Sequence, residues 1–284
     1  MDFIGMRMNG SALKVTVIMP TYGQAKFIGE AIRSVLDQTH QNLELLIYDA
    51  CSPDGTDSVV NGFSNDARMT YRREPDRGQA DAINKGMAAA TGDIVCWLNS
   101  DDLYFDSQAL SRVTHTFAQD GGVDIVTGDG HYIAEDGTPG RPIIVPKPAL
   151  LSANAMRLVD HMLQPATFWR RSDVRLDTSY HYAFDWKYFV ELRRRGAKLH
   201  YLPEYLAKYR LHASGKTVQD SAARRYELMR VLDFGGAPRP FRLWARGIWF
   251  IYAISERTQI GFLKTMARWA GSAAYHVSGR RVAG

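Results

Sequence analysis

Three short stretches bring together residue types that could hold a charged ligand. Pro20-Thr21-Tyr22-Gly23 follows the apolar run KVTVIM and sets an aromatic ring beside a hydroxyl. Asp49-Ala50-Cys51-Ser52-Pro53-Asp54-Gly55-Thr56-Asp57 follows LELLIY, and Asn99-Ser100-Asp101-Asp102 follows DIVCWL. Adjacent carboxylates repel one another, so Asp-Asp straight after a buried strand points to a cation. Oxygen ligands of this kind suit Mg²⁺ or Mn²⁺, which commonly bridge protein carboxylates to a substrate diphosphate. Each stretch also has an ordinary reading: a turn and N-cap for Asp101-Asp102, an Asx-turn for Asp49, a core aromatic for Tyr22.

The elements that must position these residues alternate in period. Residues 14–19, 43–48, 68–73, 93–98 and 123–128 are short β-rich runs, and 26–38, 56–64, 78–90 and 106–119 read as helices between them. In the first helix Phe27, Ile28, Ala31, Ile32, Val35 and Leu36 recur at the three/four spacing of one buried face. Strands alternating with helices of this length predict βαβ units and a mostly parallel, Rossmann-like sheet flanked by helices. Ligands of such α/β sheets bind beyond the carboxyl ends of the strands, where all three stretches fall. Residues 131–146 predict a hairpin turning at Asp136-Gly137; a strand at 166–171, a helix at 184–195 and two short strands near 197–201 and 206–210 follow. From 217 onward the pattern is helical, broken at 235–240 by Gly-Gly-Ala-Pro-Arg-Pro.

The succession strand–P-T-Y–helix, strand–D-x-x-S-x-D-G-T–helix, then D-R-G-Q-A-D-A-I-N-K-G-x-x-x-A-T-G-D-I-V-x-W-L-N-S-D-D resembles the family-two glycosyltransferases of the GT-A fold, of the bacterial polysaccharide-biosynthesis type. It covers residues 14–104 strongly and 160–217 more weakly, and the segment Gly78 to Asp102 is its most specific part. The resemblance implies inverting transfer of a sugar from a nucleotide diphosphate, UDP favoured, to a hydroxyl of a glycan or lipid-linked acceptor, with Mg²⁺ or Mn²⁺ as cofactor. It implies that Pro20, Thr21 and Tyr22 pack against the nucleoside base and that Asp49 hydrogen-bonds it. Asn99-Ser100-Asp101 match the D-x-D motif: Asn99 meets the ribose, and Asp101 is the main metal ligand with Asp102 beside it. Asp185, in Phe184-Asp185-Trp186, matches the general base, and His212 a histidine that reaches the metal or diphosphate. Arg210 and Arg77 are expected near the diphosphate and nucleotide, and His161 and Gln164 along the acceptor cleft. The chain departs from the pattern twice: Ala50-Cys51 stand for Asp-Gly, and Asn99 for the first Asp of D-x-D. Asn99 can still accept from a ribose hydroxyl, while the lost charge weakens the case for metal.

Other readings fare worse. Gly215-Lys216-Thr217 has Arg at 210, where a P-loop needs glycine, and neither G-x-G-x-x-G nor G-x-S-x-G occurs. A nucleotidylyltransferase would share the architecture but normally carries a Gly-rich, basic loop after its first strand. A noncatalytic nucleotide-sugar-binding module stays open, because Asn99 depletes the metal site.

Among 284 residues, 35 Lys and Arg face 30 Asp and Glu. Residues 221–284 carry 11 basic and 3 acidic side chains, a net of +8, which leaves the first 220 residues at −3. A body of that sign excludes a duplex-binding surface, so no nucleic-acid partner is expected. Two isolated cysteines read as reduced thiols of a cytoplasmic chain. The expected organisation is a GT-A domain over 1–216, with a nucleotide-binding half at 14–104 and an acceptor half at 105–216, then a basic amphipathic helical tail over 217–284. Within the tail, 241–254 and 259–277 are apolar, aromatic and punctuated by Arg242, Arg246, Lys264 and Arg268. They fit helices lying peripherally on the inner face of the plasma membrane, or a helical hairpin or homo-oligomer contact.

Overall fold

The computed structural model describes residues 13–147, 153–213, 215 and 221–258. The expected second tail segment, 259–277, and Lys216-Thr217 lie outside them. The elements are β1 (Val15–Thr21), α1 (Ile28–Leu36), β2 (Leu43–Asp49), α2 (Thr56–Asn61), β3 (Met69–Arg73), α3 (Gln79–Ala89), β4 (Ile94–Trp97), β5 (Leu103–Tyr104), α4 (Ala109–Gln119), β6 (Ile125–Ile133) and β7 (Pro139–Ile143). They continue with α5 (Ala153–Met156), β8 (Thr167–Arg170), α6 (Phe184–Arg194), β9 (Leu199–Arg210), α7 (Ala222–Phe234) and α8 (Arg239–Thr258).

The chain divides into two compact units, and the division is not at residue 216. One unit takes the residues up to Ile144, Leu163–Thr178 and Ala197–Leu211; the other takes Val145–Met162, Ser179–Gly196 and His212 onward. The sequence reading cut the chain in linear order, whereas the backbone passes between the units several times.

The first unit holds the whole sheet, in the order β3-β2-β1-β4-β8-β6-β9-β5, with β7 paired to β6. Its β3-β2-β1-β4 half is entirely parallel. Every residue of β1 is buried, as a central strand covered on both faces requires. Helix α1 buries Ile28, Ala31, Ile32, Val35 and Leu36, the face its spacing predicts. Glycines of the specific segment serve close packing: a Cβ on Gly86 of α3 would lie 2.4 Å from Ile18 Cγ2, and one on Gly92 would lie 2.7 Å from Thr16 N.

Two strands differ from expectation. The predicted pair at 197–201 and 206–210 is one continuous strand, β9, because Pro203 and Glu204 bulge out between the Gly128–Leu202 and Asp129–Tyr205 register pairs. Proline is tolerated in a strand at such a bulge. Strand β5 has only two residues, too few for any periodicity, yet its pairing with Lys208 and Ala207 ties the turn after β4 to the end of β9.

In the second unit, α7 and α8 pack together, with Tyr252 fully buried and Ile248 beside it against Ala222 and Ile251. Helix α7 begins at Ser221, whose Oγ accepts Arg224 N–H at 3.2 Å, and ends before the glycine pair in which Gly236 takes φ 68°.

Candidate active site

In the first unit, the loops after β1 and β2 are laced together. Ser52 Oγ accepts Gly23 N–H at 2.9 Å, Thr56 Oγ1 accepts Gln24 N–H at 3.1 Å, and Asp54 Oδ2 accepts Ala25 N–H at 3.0 Å. Pro20 and Thr21 stay buried, while Tyr22 is left 62% exposed, a ring at the mouth of the sheet. Thr21 Oγ1 is buried there and makes no hydrogen bond among the described residues.

Asp49 closes β2 at 1% exposure. Its Oδ1 accepts Ser52 N–H at 2.8 Å and Ser52 Oγ–H at 2.6 Å, and its Oδ2 accepts the Tyr71 hydroxyl at 2.6 Å. Both oxygens are thus engaged in shaping the loop, the Asx-turn arrangement rather than an open contact. Burial and the Asp49 carboxylate push the Tyr71 hydroxyl well above its ordinary value. Cys51 sits inside this loop with φ 61°, a left-handed conformation, at the position where the resemblance places glycine.

The turn after β4 is held by a polar network. Asn99 Oδ1 accepts Gln79 Nε2–H at 2.7 Å, and Asn99 Nδ2 lies 3.3 Å from both Asp102 Oδ2 and Gln164 Oε1. Gln164, expected along the acceptor cleft, donates to Trp97 O at 2.7 Å and so packs against this turn. Ser100 and Asp102 are buried, and Asp101 is half-buried. Asp102 Oδ1 accepts Arg210 N–H at 3.0 Å; burial, then the neighbouring Asp101, raises the Asp102 carboxyl well above the usual carboxylate range.

Arg210 was expected at the diphosphate, but its guanidinium is spent on the protein. At 4% exposure it donates to Asp101 O (2.9 Å), Glu135 O (2.9 Å) and Glu30 Oε2 (2.7 Å), and it stacks over Phe27. It therefore fixes the Asp101 backbone. Arg77 is exposed at the start of α3 and pairs with Asp81 at 2.8 Å.

In the second unit, Asp185 lies in the first turn of α6, half-buried, with Oδ1 accepting Trp186 N–H at 2.8 Å. Burial and the nearby Asp160 carboxylate push it up to about 7. The start of this helix is clamped by Glu227 of α7: its Oε1 accepts His181 N–H at 2.8 Å, and its Oε2 accepts Tyr182 N–H at 2.7 Å and Ala183 N–H at 3.0 Å. His161, expected along the acceptor cleft, is fully buried and so lines no open surface. His212 is also buried, its carbonyl accepting Gly215 N–H at 3.0 Å.

Among the described residues no three His, Cys, Asp or Glu side chains gather into a metal cluster. The donor set still fits a hard divalent ion. Such ions take one or two carboxylates and complete their shell with water and substrate phosphate. Asp101 and Asp102 are the adjacent carboxylates of this turn, and Asp102 accepts from Asn99 Nδ2–H and Arg210 N–H.

Gln79, Asp160 and Glu227 were not singled out from the sequence. Gln79 stands inside the specific Gly78–Asp102 segment and was within reach; Asp160 and Glu227 carry no local signal.

Comparison with known proteins places this geometry. The sequence profile described as Glycosyl transferase family 2 matches residues 16–175. An uncharacterized glycosyltransferase of Nostoc sp. is 32% identical over 136 residues, which are 45% of this chain and 42% of that protein. The chain thus matches less than half the length of this curated relative. Residues 1–349 of TarS from S. aureus, solved with UDP-GlcNAc, superpose with a TM-score of 0.66 at 19% identity, covering 88% of this chain and 75% of that one. The mannosyltransferase PcManGT from Pyrobaculum calidifontis, solved with GDP-Man and Mn²⁺, gives 0.62 at 21% identity over 97% and 77%. Both likenesses show the fold, which is of the GT-A type.

Proposed function

The chain belongs to glycosyl transferase family 2, and from that premise we propose that it transfers a sugar, with inversion, from a nucleotide-diphosphate sugar to a hydroxyl of a glycan or lipid-linked acceptor. UDP is the favoured nucleotide. One observation carries the reading: the Tyr22, Asp49 and Asn99–Asp102 loops stand together at the carboxyl ends of the adjacent parallel strands β1, β2 and β4. Ligands of open α/β sheets bind at that edge. The nucleotide-sugar complexes of TarS and PcManGT support the choice of donor.

In this mechanism the exposed ring of Tyr22 stacks on the base, and Asn99 accepts from a ribose hydroxyl. Asp101, backed by Asp102, would hold Mg²⁺ or Mn²⁺, which when bound neutralises charge on the leaving diphosphate. The Arg210 contacts keep the Asp101 backbone in place. Asp185 takes the proton of the acceptor hydroxyl as its oxygen attacks the anomeric carbon. The bond from that carbon to the diphosphate oxygen breaks, and the nucleoside diphosphate leaves with the electron pair. A carboxyl poised near 7 suits such a base, whose contribution is typically about 10²–10⁴-fold. Asp185→Asn is expected to abolish turnover while donor binding persists; loss of both together would remove Asp185 from the base role.

The same proposal keeps the chain in the cytoplasm, peripheral on a membrane. Among the described residues no helix is long and apolar enough to cross one. Exposed Leu243, Trp244 and Phe250 on α8, interspersed with Arg242 and Arg246, support surface docking. Flotation of the full chain with anionic but not neutral vesicles is expected; no flotation with either would refute it.

A further inference from the structure

The second unit contains a pocket that the proposed chemistry does not use. It is an open, mostly apolar cleft of about 80 Å³. Its walls include Leu158, Trp186, Leu228, Leu232, Trp244 and Ile248. The Trp186 indole N–H is already committed to Met156 O at 2.7 Å, so that residue offers the pocket only apolar surface. Just two lining residues are charged, Asp160 and Arg225. Arg225 stacks on Tyr252, 4.8 Å from the ring centroid, and its Nη2 lies 3.3 Å from the Tyr252 hydroxyl.

The position of the pocket names its occupant. Trp186 directly follows Asp185, and Asp160 in the pocket wall is the carboxylate that acts electrostatically on Asp185. One ligand chemistry satisfies an apolar chamber beside a carboxylate pair: an amphiphile whose hydroxyl-bearing head meets the carboxylates while its apolar part fills the chamber. We propose that this pocket is the subsite for the apolar aglycone of the acceptor, so that the acceptor is a glycolipid-like alcohol rather than a free polar glycan. This rests on the transferase reading above and specifies its acceptor.

Hexyl, octyl and decyl β-glucosides, titrated below their micelle concentrations against the full chain, test the proposal through the fluorescence of Trp186 and Trp244. Burial of each added methylene should tighten the dissociation constant by up to about fourfold. Ala245→Phe, which places a ring in the pocket from a half-buried helix position, should weaken decyl glucoside at least about tenfold at an unchanged melting temperature. Affinity independent of chain length, or undiminished in Ala245→Phe, overturns the proposal. A silent titration also overturns it. Nucleotide-sugar binding measured on the same samples separates the two readings. Donor binding without chain-length dependence sinks the pocket alone. Chain-length dependence without donor binding sinks the transferase reading, and with it the occupant's assignment as an acceptor.

Discussion

Replacing Glu227 by glutamine tests how the helix that carries Asp185 is held. The carboxylate is 8% exposed and accepts three main-chain N–H groups, from His181, Tyr182 and Ala183, the residues that lead into α6. Glutamine keeps the volume but has one acceptor oxygen, and its amide NH₂ cannot accept. If that oxygen takes the place of Oε2, the His181 N–H loses its partner; if it takes the place of Oε1, the other two do. Hydrogen bonds to a charged group are worth about 1.5–3 kcal/mol each, and the surviving bonds lose their charge assistance. The expected destabilisation is therefore about 2–5 kcal/mol, with Glu227→Ala at or above the upper end. Urea unfolding followed by tryptophan fluorescence reads the change in midpoint, and hydrogen exchange reads it locally as lost protection at the amides of residues 181–183. A midpoint equivalent to less than about 0.5 kcal/mol, with those amides still protected, would refute the clamp.

Other outcomes follow from the same geometry. Cys51→Gly relieves a left-handed residue that costs roughly 1–2 kcal/mol, and after glycine's own entropy it should stabilise by about 0.5–1 kcal/mol in thermal unfolding. Gly86→Ala forces a methyl to within 2.4 Å of Ile18 and should destabilise by about 1–3 kcal/mol in the same measurement. Asp185 is held protonated up to about 7, above its unfolded value, so its contribution to stability is complete at acid pH and lost as pH rises from about 4 through about 7. Asp185→Asn should remove that pH dependence. Asp160→Asn removes a repelling charge, lowers the Asp185 value, and should shift the rising limb of the kcat/KM–pH profile to lower pH; an unmoved limb would show that the pair is not coupled.

The parallel half of the sheet was readable from the sequence because each element announces itself locally. Ile28 to Leu36 carry one apolar face, and β1 and β2 are mostly apolar, β-rich runs interrupted by Thr16 and Glu44. The three loops at the ends of β1, β2 and β4 were readable for the same reason: they are contiguous motifs. Long-range consequences were not. Pro203 looks like the end of a strand, yet parallel pairing with β6 carries β9 across a bulge to Arg210. Arg210 itself reads as a cation near a diphosphate. Its partners Glu30, Glu135 and Asp101 lie 180, 75 and 109 residues away, and only the fold brings them to it. The division of the chain was hidden likewise, since Asp160 acts on Asp185, and Glu227 on the backbone of residues 181–183, through tertiary packing that no local pattern encodes.

Donor binding tests the central claim most directly. A thermal-shift screen of UDP- and GDP-sugars, with and without Mn²⁺, should find a donor that stabilises the chain by about 2.7 kcal/mol at 100 times its dissociation constant. Asp101→Ala should lose the Mn²⁺-dependent part of that shift. A melting curve unmoved by every nucleotide sugar, or an Asp101→Ala variant that responds to donor and Mn²⁺ as the parent does, would contradict the account.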